Sequence, residues 1–366
     1  MTGPLDGIVV ADFSRVLAGP YATMLLGDLG AEVIKVERPG HGDDTRAWGP
    51  PYTEHGMATY FAGVNRNKTS RAIDLASQEG REQARALAMG ADVFVENFKP
   101  GALAAMGLGY DDLAAEHPGL VYCSISGFGS GEGASLPGYD LLVQAMGGLM
   151  SVTGPGPGEP TKVGVALVDV ITGLHATVGI LAALHHRDQT GEGQHVEVNL
   201  LSSLLSALVN QSSAYVAGGV VPGILGNAHP SIAPYEVFAT ADRQIVLAVG
   251  NDGQFRALAD ALGLAGLADD ERFATNPQRV AHRSELKTLL EGALASRGAG
   301  EWQEVIAAAG VPCGPINDLE HAFALAQRLG LDPVVEIGGV PTVANPIGLS
   351  ATPPTYRSGP PDLPEG

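Results

Sequence analysis

From Gly7 to Ser126 short apolar segments alternate with helical ones, and this alternation narrows the architecture more than any other property of the chain. Gly7–Phe13 reads as a buried strand. Pro20–Leu29 reads as a helix opened by its proline and closed by Gly30. Glu32–Glu37 is the next strand, and Arg71–Leu75 is another. A helix over Gln78–Met89 then precedes strands over Asp92–Glu96 and Leu120–Ser126. Short buried strands separated by helices predict an α/β fold with a parallel sheet and right-handed crossovers.

The middle of the chain changes character. Residues 128–158 are rich in Gly, Ser and Pro, with a helix expected over Tyr139–Met146. Two long apolar helices follow, Val168–Arg187 and Leu200–Ala217, separated by a strand at His195–Val198. The apolar run Val163–Leu184 carries Asp169 and His175, which argues for a buried core helix and against a lipid-spanning one. Residues 218–234 are punctuated by proline and read as a linker. A second unit begins near Tyr235, with strands Tyr235–Thr240 and Gln244–Val249. Helices are expected over Gly253–Leu262, Gln278–Ser296, Glu301–Ala309 and Asp318–Arg328. The last thirty or so residues, rich in Pro and Gly, read as extended.

Composition bounds the partners. The chain has 366 residues, enough for about two domains. Its 21 basic and 40 acidic residues give a net charge of −19, which argues against nucleic acid or an anionic membrane surface as partner. The basic residues are concentrated early, and residues 101–240 hold only Lys162 and Arg187. A locally basic N-terminal region could therefore hold a polyanionic ligand, although ordinary surface charges explain it equally. Two cysteines, Cys123 and Cys313, are too few for a disulfide scaffold and lack metal-ligand spacing, so no metal site is expected. With no targeting segment visible before Phe13, the expectation is a cytoplasmic protein.

Most catalytic motifs are missing. The first strand–helix junction, Ser14–Pro20, has one glycine and no G-x-G-x-x-G, which argues against NAD or FAD. No P-loop, H-E-x-x-H, C-x-x-C or G-x-S-x-G occurs. The adjacent His185 and His186 read as surface residues. Two places survive. Asp169 lies at the head of a long apolar helix, as a first-turn carboxylate or as a nucleophile kept anionic by the helix N-terminus. Val249–Phe255 joins a strand to a helix, and Gly250 and Gly253 would let backbone N–H groups approach a ligand oxyanion. A plain helix cap at Asn251 or Asp252 is the alternative there.

Taken in order, these motifs resemble the family III CoA-transferases, a group that shares its fold with the α-methylacyl-CoA racemases. The densest matches are Asp12–Pro20, Leu26–Pro39, Gly42–Trp48 and Asn65–Lys68. They continue through Val95–Phe98, Gly138–Asp140, Asp169, Val249–Phe255, Arg272–Asn276 and Gly310–Pro315. The resemblance implies a Rossmann-like large domain (1–217), a linker (218–234), a smaller α+β domain (235–328) and a returning C-terminal segment (329–366). It also implies ring-shaped chains interlocked as a homodimer. Asp169 matches the nucleophile, and Val16, Arg38, Ile73, Asn97, Phe98 and Tyr139 match CoA contacts. Gly250, Asn251, Asp252, Gly253 and Gln254 match a mobile cover over the acyl group, and Trp48 a residue packed against it.

The implied reaction passes CoA from an acyl-CoA donor to a carboxylic acid acceptor through Asp169, with CoA as substrate and no permanently bound cofactor. Arg38, with Lys68, Arg71 or Lys99 nearby in sequence, could meet the CoA phosphates. Leu17 stands where formyl-CoA transferases have glutamine, and Asn251 and Asp252 interrupt a loop that is nearly all glycine in some oxalate-specific members. The segment Gly138–Gly154 looks more like members that use succinyl-CoA and dicarboxylates.

Three other readings compete. A racemase needs acid/base groups on both faces of the α-carbon. Its histidine and glutamate fall on Tyr139 and Asp252, and a tyrosine with a pKa near 10 is a poor substitute for histidine at neutral pH. A non-catalytic acyl-CoA binder would have little use for both Asp169 and the glycine loop. A nicotinamide dehydrogenase lacks its glycine fingerprint.

Overall fold

A computed structural model describes residues 3–364, which divide into two compact units. The first comprises the chain through Met150, Lys162–Val221 and the segment from Asp332 onward. The second comprises Ser151–Thr161 and Pro222–Leu331.

The first unit is built on six parallel strands: β1 (Val9–Asp12), β2 (Glu32–Glu37), β3 (Lys68–Ala72), β4 (Val93–Glu96), β5 (Val121–Ser126) and β6 (His195–Asn199). Their order is β3-β2-β1-β4-β5-β6, so the winding reverses between β1 and β4. In such sheets ligands settle in the crevice beyond the carboxyl ends of the strands at that reversal. The central strand β4 is buried at every residue, as expected of a strand covered on both faces. Phe13, Phe94 and Tyr122 stack across adjacent strands with ring centroids 4.5 and 4.7 Å apart, forming the core of one face.

The helix after β1 runs over Ala18–Asp28 and begins two residues ahead of Pro20. A first-turn proline costs no helical hydrogen bond, so the predicted opening at Pro20 falls slightly late. This helix is almost wholly buried because Leu167–Thr190 packs along it. Gly173 permits the contact: a Cβ there would lie 2.6 Å from the Ala18 carbonyl oxygen. Gly173→Ala should therefore lower the unfolding free energy by about 1–3 kcal/mol, read from denaturant midpoints.

The expectation of a fully buried Leu167–Thr190 helix holds for one face only. Thr172, Ala176, Ile180 and Ala183 are buried, whereas Leu174 and Val178 are exposed. Its apolar character all round therefore outruns what this chain covers.

Two predicted helices are each divided. Leu200–Ala217 is Leu200–Ala207 and Val209–Val216, broken where Val209 takes φ 36°. Gln278–Ser296 is Asn276–Ala281 and Arg283–Leu294, broken at His282. A break of one residue barely disturbs hydrophobic periodicity, which hides it from sequence reading.

The C-terminal segment is not wholly extended. It forms a hairpin of β10 (Val334–Ile337) and β11 (Val340–Val343), turned by Gly338 and Gly339 at φ 60° and 77°. Two consecutive left-handed residues are what a tight primed turn requires. Beyond the hairpin, Arg357 donates to the carbonyls of Gly27, Gly30 and Ala31 at the end of the Ala18–Asp28 helix.

In the second unit, β7 (Tyr235–Ala239), β8 (Gln244–Ala248) and β9 (Cys313–Pro315) form an antiparallel sheet. Helices Asp252–Ala261, Arg283–Leu294 and Ala299–Ala308 bury Phe255, Leu290, Trp302 and Ile306 in a core shared with Phe238 and Leu247.

Candidate active site

The turn after β1 and the turn after β4 meet at the winding reversal. Together with Gly127, Gly138, Tyr139 and Asp169 they line a cleft of about 410 Å³. Val16, Leu17, Asn97, Phe98, Tyr139 and Asp169, scattered over 150 positions of sequence, share this cleft. Arg38 and Ile73 line a smaller one of about 200 Å³, and Arg15 and Phe98 belong to both. The Arg15 guanidinium sits 5.0 Å from the Phe98 ring centroid.

Asp169 is the third residue of the helix Leu167–Thr190. Among the described residues no hydrogen bond reaches its carboxylate. Burial, with the Asp140 carboxylate nearby, pushes its pKa up to about 7. The expectation that the helix N-terminus keeps this group strongly anionic is thereby corrected. The first-turn N–H groups of Val168 and Asp169 donate instead to Asp140 Oδ1, at 2.8 and 3.3 Å. Asp140 Oδ2 accepts from the Gln144 amide at 2.6 Å, and Gln144 Oε1 accepts from the Val163 N–H at 2.9 Å. A carboxylate from another helix thus caps the helix that carries Asp169, whose own N-cap, Ala166, has no side-chain acceptor. The sequence reading placed Asp140 in a matched motif but missed it as a cap, because caps are sought next to their helix and this one lies 29 residues away.

Asn97, which lines this cleft, also holds the turn after β1. Its Oδ1 accepts from the Arg15 N–H at 2.9 Å, and its Nδ2 donates to the Arg15 carbonyl at 2.7 Å. Both ends of the amide are engaged with the β1 turn. Lys68 cannot meet a phosphate: it is fully buried, and its ammonium donates to Asp12, Asn65 and the Pro20 carbonyl. Desolvation lowers its pKa to about 8 against the pull of Asp12. Lys99 and Arg15 are the cations that line the Asp169 cleft.

Trp48 packs edge-on against Tyr60 at 5.3 Å. Burial, followed by the charges of Asp169 and Asp140, raises the pKa of Tyr60, a residue that sequence reading did not name.

The segment Gly250–Gln254 lies in the second unit, leading from β8 into the first turn of the helix Asp252–Ala261. Asn251 caps that helix, accepting from the Gln254 N–H at 2.9 Å. The Gln254 side chain accepts from the Gly250 N–H at 2.7 Å, and Asp252 pairs with the buried Arg279 at 2.7 Å. The N–H groups of Gly250 and Gln254 are therefore spent inside the loop. Neither Gly250 nor Gly253 has a positive φ, so the cap reading of Asn251 accounts for the geometry.

Comparison with known proteins agrees with this arrangement. CoA-transferase family III matches residues 5–365. A succinate–glutarate CoA-transferase of Agrobacterium fabrum is 46% identical over 99% of this chain and 93% of its own. An acetyl-CoA:oxalate CoA-transferase of Acetobacter aceti is 42% identical over 99% of this chain and 94% of its own. The crystal structure of a CAIB/BAIF family protein from Brucella suis superposes with a TM-score of 0.89 at 45% identity, covering 100% of this chain and 97% of that one. A parallel α/β sheet with a half-buried aspartate in the cleft at its winding reversal, in a chain matched over its length by these relatives, belongs to a member of CoA-transferase family III.

Proposed function

We propose that this enzyme moves CoA from an acyl-CoA donor to a dicarboxylic acid acceptor through covalent intermediates on Asp169. The observation that carries the reading is the unbonded, partly buried Asp169 carboxylate in a cleft that also holds Arg15 and Lys99. The names of relatives that use succinate, glutarate and oxalate support a dicarboxylic acceptor.

The chemistry is balanced with one carboxylate. The Asp169 carboxylate attacks the thioester carbonyl, and the C–S bond breaks to give a mixed anhydride and CoA thiolate. The thiolate attacks the aspartyl carbonyl carbon, releasing the donor as its carboxylate and leaving an aspartyl–CoA thioester. The acceptor carboxylate attacks that thioester, giving a second anhydride and the thiolate again. Attack of the thiolate on the acceptor's acyl carbon yields the new acyl-CoA and frees Asp169. No step requires a proton, a metal or an external redox partner. Burial suits the sequence, because a poorly solvated carboxylate is a stronger nucleophile and anhydrides must be kept from water.

In the same reading Arg38, Ile73, Val16 and Phe98 hold CoA along the two adjoining clefts, on the Rossmann-like side of the chain. Leu17 and Trp48 with Tyr60 bound the acyl end. The exposed Leu174, Val178 and Val209 support burial of this face in an interlocked homodimer. The free thiols Cys123 and Cys313 suit a cytoplasmic setting. The racemase reading loses ground, because Asp140 is engaged as a helix cap and Asp252 is paired with Arg279.

The test is intact-protein mass after incubation with succinyl-, glutaryl- and acetyl-CoA. A CoA-sized adduct on the wild type, absent from an Asp169 variant, is the expected result. Exchange of an α-proton with solvent, without any adduct, would overturn it. Because only the carboxylate attacks, kcat/KM should rise with pH through an apparent pKa near 7 and then level off. Asp140→Asn keeps an oxygen acceptor for the helix but removes a charge. It should move that limb to lower pH by about half a unit to one unit. An unmoved limb would sever Asp140 from the titration.

A further inference from the structure

The β1 turn has no glycine fingerprint, yet Val16 takes φ 71°, a left-handed conformation that a β-branched residue adopts only under constraint. Side chains hold the turn at each residue. The Ser14 N–H donates to Asp12, and its carbonyl accepts from the Lys35 ammonium at 3.0 Å. Asn97 brackets Arg15 from both sides. The Val16 N–H lies 3.2 and 3.4 Å from the two Asp43 carboxylate oxygens.

Asp43 is itself firmly set. It is buried, accepts from Lys35 at 2.9 Å, and takes both the backbone N–H and the hydroxyl of Thr45, at 3.0 and 2.8 Å. Its own N–H donates to Glu37, which forms a two-point ion pair with Arg46. Lys35 and Asp43 are both wholly buried, so the pair costs desolvation energy that a pair of apolar residues would not. Its geometry shows where the charge is directed: at the one strained residue in the wall of the Asp169 cleft.

We propose that Asp43, seated on Lys35, is a positioning residue that holds Val16 in its left-handed conformation and so fixes the wall against which the acyl-CoA lies. The inference rests on the reading of the cleft as the acyl-CoA site. A strained turn held by a buried anion does for this sheet what glycines do in dinucleotide-binding sheets: it reverses the chain tightly at the winding reversal. It does so with a rigid turn and a side chain presented to the ligand.

The test uses purified full-length protein and a dissociation constant for free CoA, alongside kcat and KM. Asp43→Asn should weaken CoA binding and raise the acyl-CoA KM by tenfold or more, with kcat changed less than threefold. Val16→Gly removes the strain that Asp43 restrains. In the Val16→Gly background the same Asp43→Asn change should therefore raise the KM by no more than about twofold. Thr45→Val, which removes only one of the hydroxyl and amide donors that seat Asp43, should move the KM in the same direction by a smaller factor and covers the case of an unfolded Asp43 variant. An equal penalty in both backgrounds, or an unchanged KM in Asp43→Asn and Thr45→Val, overturns the proposal. Failure of the wild type to load CoA onto Asp169 would instead overturn the reading of the cleft, so the two failures are distinct.

Discussion

Replacing Asp169 by asparagine is expected to abolish CoA transfer, by about 10⁴-fold or more, while making the protein more stable at pH 8. The loss follows from the mechanism, since an amide cannot form the anhydride and each later step regenerates or consumes the same carboxylate. The gain follows from linkage. The folded-state pKa of Asp169 is raised from the usual 3.8 to about 7, so between those values the folded protein binds more protons than the unfolded chain. Stability contributed by the neutral acid is complete below pH 4 and is lost as pH rises to 7. Asparagine does not titrate and keeps it. Three units at about 1.4 kcal/mol each set a ceiling near 4 kcal/mol, and partial exposure reduces the expected gain to about 2 kcal/mol. Thermal unfolding of both proteins at pH 4.5 and pH 8 checks this: the difference in Tm should open with rising pH. A variant that still loads CoA would remove Asp169 from the chemistry, and a variant less stable at pH 8 would show that the carboxylate is well solvated.

Asp28→Ala should cost the most stability of any single change in the first unit, about 3–5 kcal/mol. Asp28 is wholly buried at the end of the Ala18–Asp28 helix, and its carboxylate takes two hydrogen bonds from Arg66, at 2.9 and 2.6 Å. It also accepts from Asn67 at 2.8 Å and from Asn345 at 2.9 Å. Arg66 in turn donates to the Val343 carbonyl, and Asn67 to the Thr355 carbonyl. One carboxylate thus ties the first helix, the Asn65–Lys68 motif and the returning C-terminal segment together. Removing it leaves a buried guanidinium unpaired. Chemical denaturation should show the loss, and limited proteolysis should cut the chain beyond Asp332. The double variant Asp28→Ala with Arg66→Met should recover more than half of the loss, because the uncompensated charge goes with it. A single-variant loss below about 1 kcal/mol would show that solvent replaces the carboxylate and that the cluster is not an anchor.

Asp169 was legible from sequence because it is marked by the helix that carries it, whereas Val16 and Leu17 were named through the matched motif at the first strand–helix junction. Lys68 was found but assigned to a contact it cannot make: its motif points to the crevice, while the folded chain buries it against Asp12. The roles of Asp140 and Asp43, which lie in matched motifs, and of Tyr60 were not legible, because each acts on a segment tens of residues away and no periodicity records such a pairing.

The amino-acid sequence by itself determined the alternation of strands and helices, the helix that carries Asp169 and the family. Each of these rests on interactions between near neighbours or on short motifs in fixed order. Only the tertiary structure decided the strand order that opens the crevice, the raised pKa of Asp169 and the strained turn at Val16. Those depend on which charges and backbone groups are brought within a few ångströms after the sheet is assembled. At that range, burial and one carboxylate can shift a proton equilibrium by three units, an effect with no counterpart in the extended chain.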